Sequence, residues 1–174
     1  MTPDFDVRLQ SVIKALEQVI LPAVDPANPL ALEQAALAIG HLHMMRGQLP
    51  YLSDYVNLCR DEIARLGESL TAIAAGGAET LAAAVALAQA LRGAADPALP
   101  PAQGRELIAQ AVDALIRASG VDGSETFRDE SENLVLDYGI RQTSRDRAWF
   151  KASGLDPDCA KLPSAAEILS AARG

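Results

Sequence analysis

The feature that most restricts the fold is a run of apolar side chains between Leu52 and Ile73. Leu52, Tyr55, Cys59, Ile63, Leu66, Leu70 and Ile73 follow one another in steps of three and four. That spacing returns to one side of an α-helix and to neither face of a strand. It is a heptad-like seam, the pattern of helices packed near +20°. Other helices must cover a seam of this length, so the sequence predicts an all-α chain.

The remaining segments repeat the pattern. A first helix is expected from about Asp4 to Leu21, with Phe5, Leu9, Val12, Ile13, Leu16, Val19 and Ile20 inward. Pro22 and Asp25-Pro26-Ala27-Asn28-Pro29 interrupt it, and Asn28 before Pro29 reads as the cap of a second helix. That helix sets Leu32, Ala35, Ala36, Ile39, Leu42 and Met45 on one side. Gly40 and Gly47 share a face, where a neighbouring backbone can come close. Gly47 and Pro50 mark either a hairpin or one long bent helix.

After Gly76-Gly77 an Ala-rich helix spans about Glu79 to Arg92, with Leu81, Val85, Ala88 and Leu91 inward. Asp96-Pro97-Ala98-Leu99-Pro100-Pro101 is the strongest loop signal. A helix from about Gly104 to Ser119 buries Leu107, Ile108, Ala111, Val112 and Leu115, and Gly120 caps it. The next helix opens at Asp122 or Ser124 and runs to about Lys151. Ser164-Ala165-Ala166-Glu167 is a capping box starting a short final helix. No internal repeat, low-complexity tract or strand-like alternation stands out.

Hydrophobic residues make up 49% of the chain, enough for a sizeable core, and aromatics only 4%, so Ala- and Leu-rich helices should approach closely. The expectation is one all-helical domain over 1–174: an up-and-down bundle of four to five main helices plus a short C-terminal helix. The Pro-rich loop near 96–104 is internal to it, because neither half carries enough core to stand well alone.

A net charge of −8 argues against nucleic acid and against anionic lipid. The longest apolar run, Leu81 to Leu91, is too short to cross a bilayer, so no membrane insertion is expected. The acids in MTPDFDVRLQ do not suit a signal peptide. The reading is a soluble, bacterial-type cytoplasmic protein with free thiols.

Chemistry-bearing residues are few. The apolar stripe Phe127, Leu134, Tyr138 continues at helical spacing into Arg141, Arg145 and Trp149. Two guanidiniums one turn apart can hold a carboxylate or phosphate, and an indole can stack beside them. Tyr138, Arg141, Arg145 and Trp149 are therefore the candidate ligand or partner site, against the blander reading that Asp137 or another acid pairs with the arginines. His41 and His43 point apart on a helix and cannot share an ion, and no Glu-x-x-His pair exists, so no metal is expected. Cys59 falls on a buried seam, and Cys159 is the more accessible thiol. Asp122-Gly123-Ser124-Glu125 lacks the oxygen ladder of a calcium loop. No nucleophile elbow, phosphate loop or dinucleotide fingerprint is present, so no catalytic residue and no cofactor is assigned.

Two functions follow as expectations. The leading one is a non-enzymatic interaction protein, a homodimer or an accessory subunit of a cytoplasmic complex. The alternative is a bundle that binds a small anionic amphipathic ligand, of the acyl-chain or acyl-thioester class. An enzyme whose residues meet only in space leaves no local motif.

Overall fold

The computed structural model describes residues 4–154 and 156–172. Met1 to Pro3, part of the segment read for a leader, lie outside the described residues. The regular elements are α1 (Phe5–Ala15), a π-helical turn (Leu16–Ile20), α2 (Leu21–Ala23), α3 (Pro29–Gln48), a 3-10 turn (Leu49–Tyr51) and α4 (Leu52–Ile73). There follow α5 (Ala78–Ala94), α6 (Pro101–Asp122), α7 (Glu125–Trp149), two 3-10 turns (Lys151–Ser153 and Cys159–Lys161) and α8 (Ala165–Ala171). The protein is all-α; among the described residues there is no strand, and no helix is long and apolar enough to cross a membrane. Contacts group the chain into two compact units, Met1–Leu52 with Arg147–Ile168, and Ser53–Asp146 with Leu169–Gly174.

The larger unit is a helical bundle of α4, α5, α6 and the first part of α7. Its core joins Ile63, Leu66 and Leu70 of α4, Leu87 of α5, Ile108, Val112 and Leu115 of α6, and Phe127 of α7. The seam read from sequence is buried from Tyr55 to Leu70, while Leu52 is exposed and Ile73 half-buried. Close packing falls at Gly67, where an added Cβ would stand 3.1 Å from Leu91.

Two turns meet at one end of this bundle. Gly77 N–H donates to the Asp122 carbonyl (2.8 Å), and Ser124 N–H donates to the Ala75 carbonyl (2.9 Å). Because the α4–α5 and α6–α7 connections lie together, the four helices run up, down, up and down. The approach is close enough to need glycine: a Cβ on Gly76, whose φ is +154°, would stand 2.6 Å from the Asp122 carbonyl oxygen.

Asp122 ends α6, which runs through Gly120, and the cap of α7 is Ser124, whose hydroxyl accepts from Phe127 N–H. The Asp122 side chain instead caps α5 from across the turn. It accepts from the N–H groups of Glu79 and Thr80 (both 2.9 Å) and from the Thr80 hydroxyl (2.6 Å). These donors, the Thr80 hydroxyl foremost, hold its carboxyl below the usual range. Anchoring Thr80 also fixes the rotation of α5. Thr80, Ala84, Leu87, Ala90 and Ala94 are buried, and Leu81 and Val85, expected inward, face solvent. A threonine hydroxyl satisfied by Asp122 can be buried where an unpartnered one cannot.

The smaller unit comprises α1 to α3 and the chain from Arg147 to Ile168. Asp4 caps α1 through Asp6 and Val7 N–H, and Asn28 caps α3 through Ala31 N–H. Pro22 does not end the first helical run. Proline has no N–H, and the π turn before it widens the spiral so that Leu21 N–H reaches the Leu16 carbonyl. Between α3 and α4 the backbone stays right-handed helical at Gln48, Leu49 and Leu52, with no loop between them.

The expected inward face of α1 is only partly covered. Ile13 is buried, Leu9 and Leu16 are half-buried, and Phe5, Val12, Val19 and Ile20 are exposed. The reason is the edge of α1 that meets α3: Arg46 grips Asp6 (2.6 Å) and His43 meets Glu17 (2.7 Å), on the polar side of the stripe. Gly40 and Gly47 of α3 have nothing within 4 Å of an added Cβ, so no backbone approaches them here. At the far end the Ser164–Glu167 capping box forms reciprocally and starts α8.

Candidate functional site

Within the larger unit, polar side chains of α4 and α7 form one hydrogen-bonded network. Arg145 donates to Glu62 (3.2 Å) and to Gln142 (2.9 Å). Gln142 donates to Asp146 (2.7 Å), whose same oxygen accepts from the Tyr55 hydroxyl (2.6 Å). Arg141 approaches Glu62 at 3.6 Å, and Arg65 donates to the other Glu62 oxygen. Glu62 thus lies among three guanidiniums. Its side chain is 11% exposed and that of Arg145 12%, whereas Arg141 is mostly in solvent. The Arg145 Nε is buried with no partner among the described residues.

This is a buried ion pair whose carboxylate comes from the same chain. Asp137, expected beside Arg141, is exposed, and Glu62 takes its place. Burial, and the Asp146 carboxylate after it, push the Tyr55 phenol well up, so it stays protonated as a donor. Tyr138 is half-buried on the same helix; burial raises its phenol against the opposing pull of the Arg105 and Arg145 guanidiniums. The buried Cys59 thiol lies near both phenols.

Trp149 does not join this network. It is buried in the smaller unit, where Gln48 donates to its carbonyl (2.9 Å) and its side chain lines a cavity of about 530 Å³. Met44, Tyr51, Ala148 and Ala165 supply further walls, and Lys151 stands at the lining with its ammonium donating to the Leu162 carbonyl. A second hollow of about 320 Å³ is lined by Leu37 and Gly40 and shares Met44 and Ala152 with the first. Of the four residues read as one site, then, Arg141 and Arg145 meet at Glu62, Tyr138 lies along the same helix, and Trp149 belongs to the cavity.

Three features were not singled out from sequence. Glu62 carried a signal, since it sits beside the buried seam of α4, where a carboxylate needs a cation. Lys151 and Met44 carried none, because residues about a hundred positions apart build the cavity. The third is apolar surface. The smaller unit buries Ile13, Ile39, Met44, Ala148 and Trp149 but leaves Phe5, Val12, Val19, Ile20, Leu30 and Leu37 exposed, among others. No protein-family model, curated protein or solved structure matches the chain. Among the described residues no group of three or more His, Cys, Asp or Glu is placed to hold a metal ion.

Proposed function

We propose that the protein is a non-enzymatic helical interaction protein that pairs with a second copy of itself through its amino-terminal helices. One observation carries this reading. Phe5 and Val12, seven residues apart on α1, and Val19 on the π turn that follows are 64%, 51% and 67% exposed, with the half-buried Leu9 and Leu16 nearby. Apolar side chains gathered in water on one helical run are a surface that a second helix can cover by packing against it.

The occupant follows from shape and charge. A helical pair with one uncovered apolar stripe is half of a four-helix bundle, and a two-fold partner supplies the same stripe in return. The smaller unit holds eight acidic and six basic residues, hence −2 of the −8 net charge, so two copies meet there with little repulsion. Two free cysteines support placing the protein in the cytoplasm.

Light scattering on a sizing column tests it. The expected mass is twice the 18.3 kDa of the chain. Val12→Glu with Val19→Glu should return the single-chain mass while helical circular dichroism is retained. A wild-type protein that stays monomeric across concentration refutes the reading.

A further inference from the structure

The two neighbouring hollows of the smaller unit have largely apolar walls, and the larger is lined by one lysine, Lys151. We propose that they form a binding site for a straight-chain carboxylate of medium length. The tail lies along Met44 toward Leu37 and Gly40, and the head meets Lys151 and the Tyr51 hydroxyl. This site is separate from the α1 stripe and does not depend on pairing.

Four observations carry the assignment. The larger hollow, about 530 Å³, falls in the range of small-molecule sites. The second hollow shares Met44 and Ala152 with it, so the two lie side by side along α3, in the order a chain would need. The walls are largely apolar, with Met44, Trp149 and alanine side chains, and His43, Gln48, Tyr51 and Ser164 are the polar groups beside Lys151. Lys151 lines the head end, and although the Glu167 carboxylate feels its charge, among the described residues no carboxylate stands within salt-bridge distance of its ammonium. A half-buried ammonium that among the described residues donates to one carbonyl has donors left for an anion, and a charge-assisted bond there is worth more than in open water. A neutral chain would leave that capacity unused, and a polyanion would meet only one cation.

The protein carries its own reporter, because its only tryptophan, Trp149, lines the larger hollow. Decanoate, below its micelle concentration, is titrated against the full chain by Trp149 fluorescence and in parallel by calorimetry. Saturable binding is expected, at least tenfold tighter than 1-decanol. Lys151→Met should remove most of that tenfold preference and leave decanol binding unchanged. Gly47→Leu should abolish binding of both probes: position 47 lines the larger hollow and has open space around an added Cβ, so the fold tolerates the change. Gly40→Leu, which fills the second hollow, should spare hexanoate and weaken decanoate.

No heat and no fluorescence change with decanoate overturns the proposal. Equal affinity for decanoate and decanol overturns the role of Lys151, and unchanged binding in Gly47→Leu overturns the location. The mass of each sample on the sizing column is recorded alongside. A monomer that binds decanoate sinks the pairing alone, and a dimer that does not bind sinks the site alone.

Discussion

If Arg145 exists to neutralise Glu62, the two should be strongly coupled in stability. Arg145→Met removes the 3.2 Å pair with Glu62 and the 2.9 Å bond to Gln142. Breaking a buried pair from one side costs about 3–5 kcal/mol, because a charge stays buried without its partner. Two features lower that here. Arg65 and Arg141, both well exposed, still face Glu62 and offset part of the loss. Arg145 also already carries a buried Nε with no partner among the described residues, a cost of about 1–3 kcal/mol that the methionine relieves. The net expectation is about 2–3 kcal/mol for Arg145→Met, and a similar loss for Glu62→Met, which strands the guanidinium. The double variant replaces the pair with thioethers in a bundle that already buries apolar side chains, and should cost only about 0–1 kcal/mol. Urea denaturation followed by circular dichroism measures all four proteins, with unchanged m-values as the check on comparability. The two single losses together should exceed the double by about 3 kcal/mol or more. Additivity within about 0.5 kcal/mol would mean the residues do not act on each other, and the arginines would need another explanation.

The glycines should divide by their surroundings. Gly76→Ala, which forces a Cβ within 2.6 Å of the Asp122 carbonyl oxygen, should lower stability by about 1–3 kcal/mol, while Gly40→Ala, with nothing within 4 Å, should raise it by about 0.5–1 kcal/mol in the same urea assay. In the smaller unit Arg147 grips Asp156 (2.7 Å) and, with the Asp158 N–H, lowers its carboxyl to about 2, so carbon-detected NMR should find it there and find it raised toward the ordinary carboxylate range in Arg147→Gln. Since the folded value lies below the unfolded one, the pair's contribution is present above about pH 4 and lost as pH falls toward 2; a contribution that instead grows on acidification would reverse the assignment. Maleimide should label the half-buried Cys159 in the native protein and leave the buried Cys59 untouched until denaturant is added, as read by intact mass.

Much of the fold was legible because helical periodicity is local. The α4 seam from Tyr55 to Leu70, the Asn28 cap and the Ser164–Glu167 box each depend on neighbours within four residues. The expectations that moved are those a distant residue decides. Asp122 sits at the right distance from Glu125 to cap α7, yet its carboxylate turns to Thr80, about forty positions earlier, and that choice rotates α5 by one residue. Pro22 reads as a stop, yet one π turn upstream of it lets the helix continue to Ala23. Likewise the stripe of α7 announced two arginines on one face, but only Glu62 of α4 says what they hold.

The α1 stripe is the most informative of these differences, because there the sequence pattern and the single chain disagree. Periodicity alone calls for Phe5, Val12 and Val19 to be covered, and in one copy they stand in water while Ile13 alone is buried on that helix. Phe5 and Val12 are exposed on α1 and Val19 and Ile20 on the π turn, and the Asp6–Arg46 ion pair and the Glu17–His43 contact hold the edge toward α3. The rotation of α1 is therefore set by charge, and its apolar face is left for something outside the chain. Exchanging Asp6 and Arg46, so that the pair is kept with reversed sign, should leave the oligomer intact. Breaking it with Asp6→Lys frees α1 to roll its apolar stripe onto its own unit, and should weaken self-association without touching any residue of the stripe. Unchanged dimer affinity in Asp6→Lys would show that the ion pair does not orient the surface.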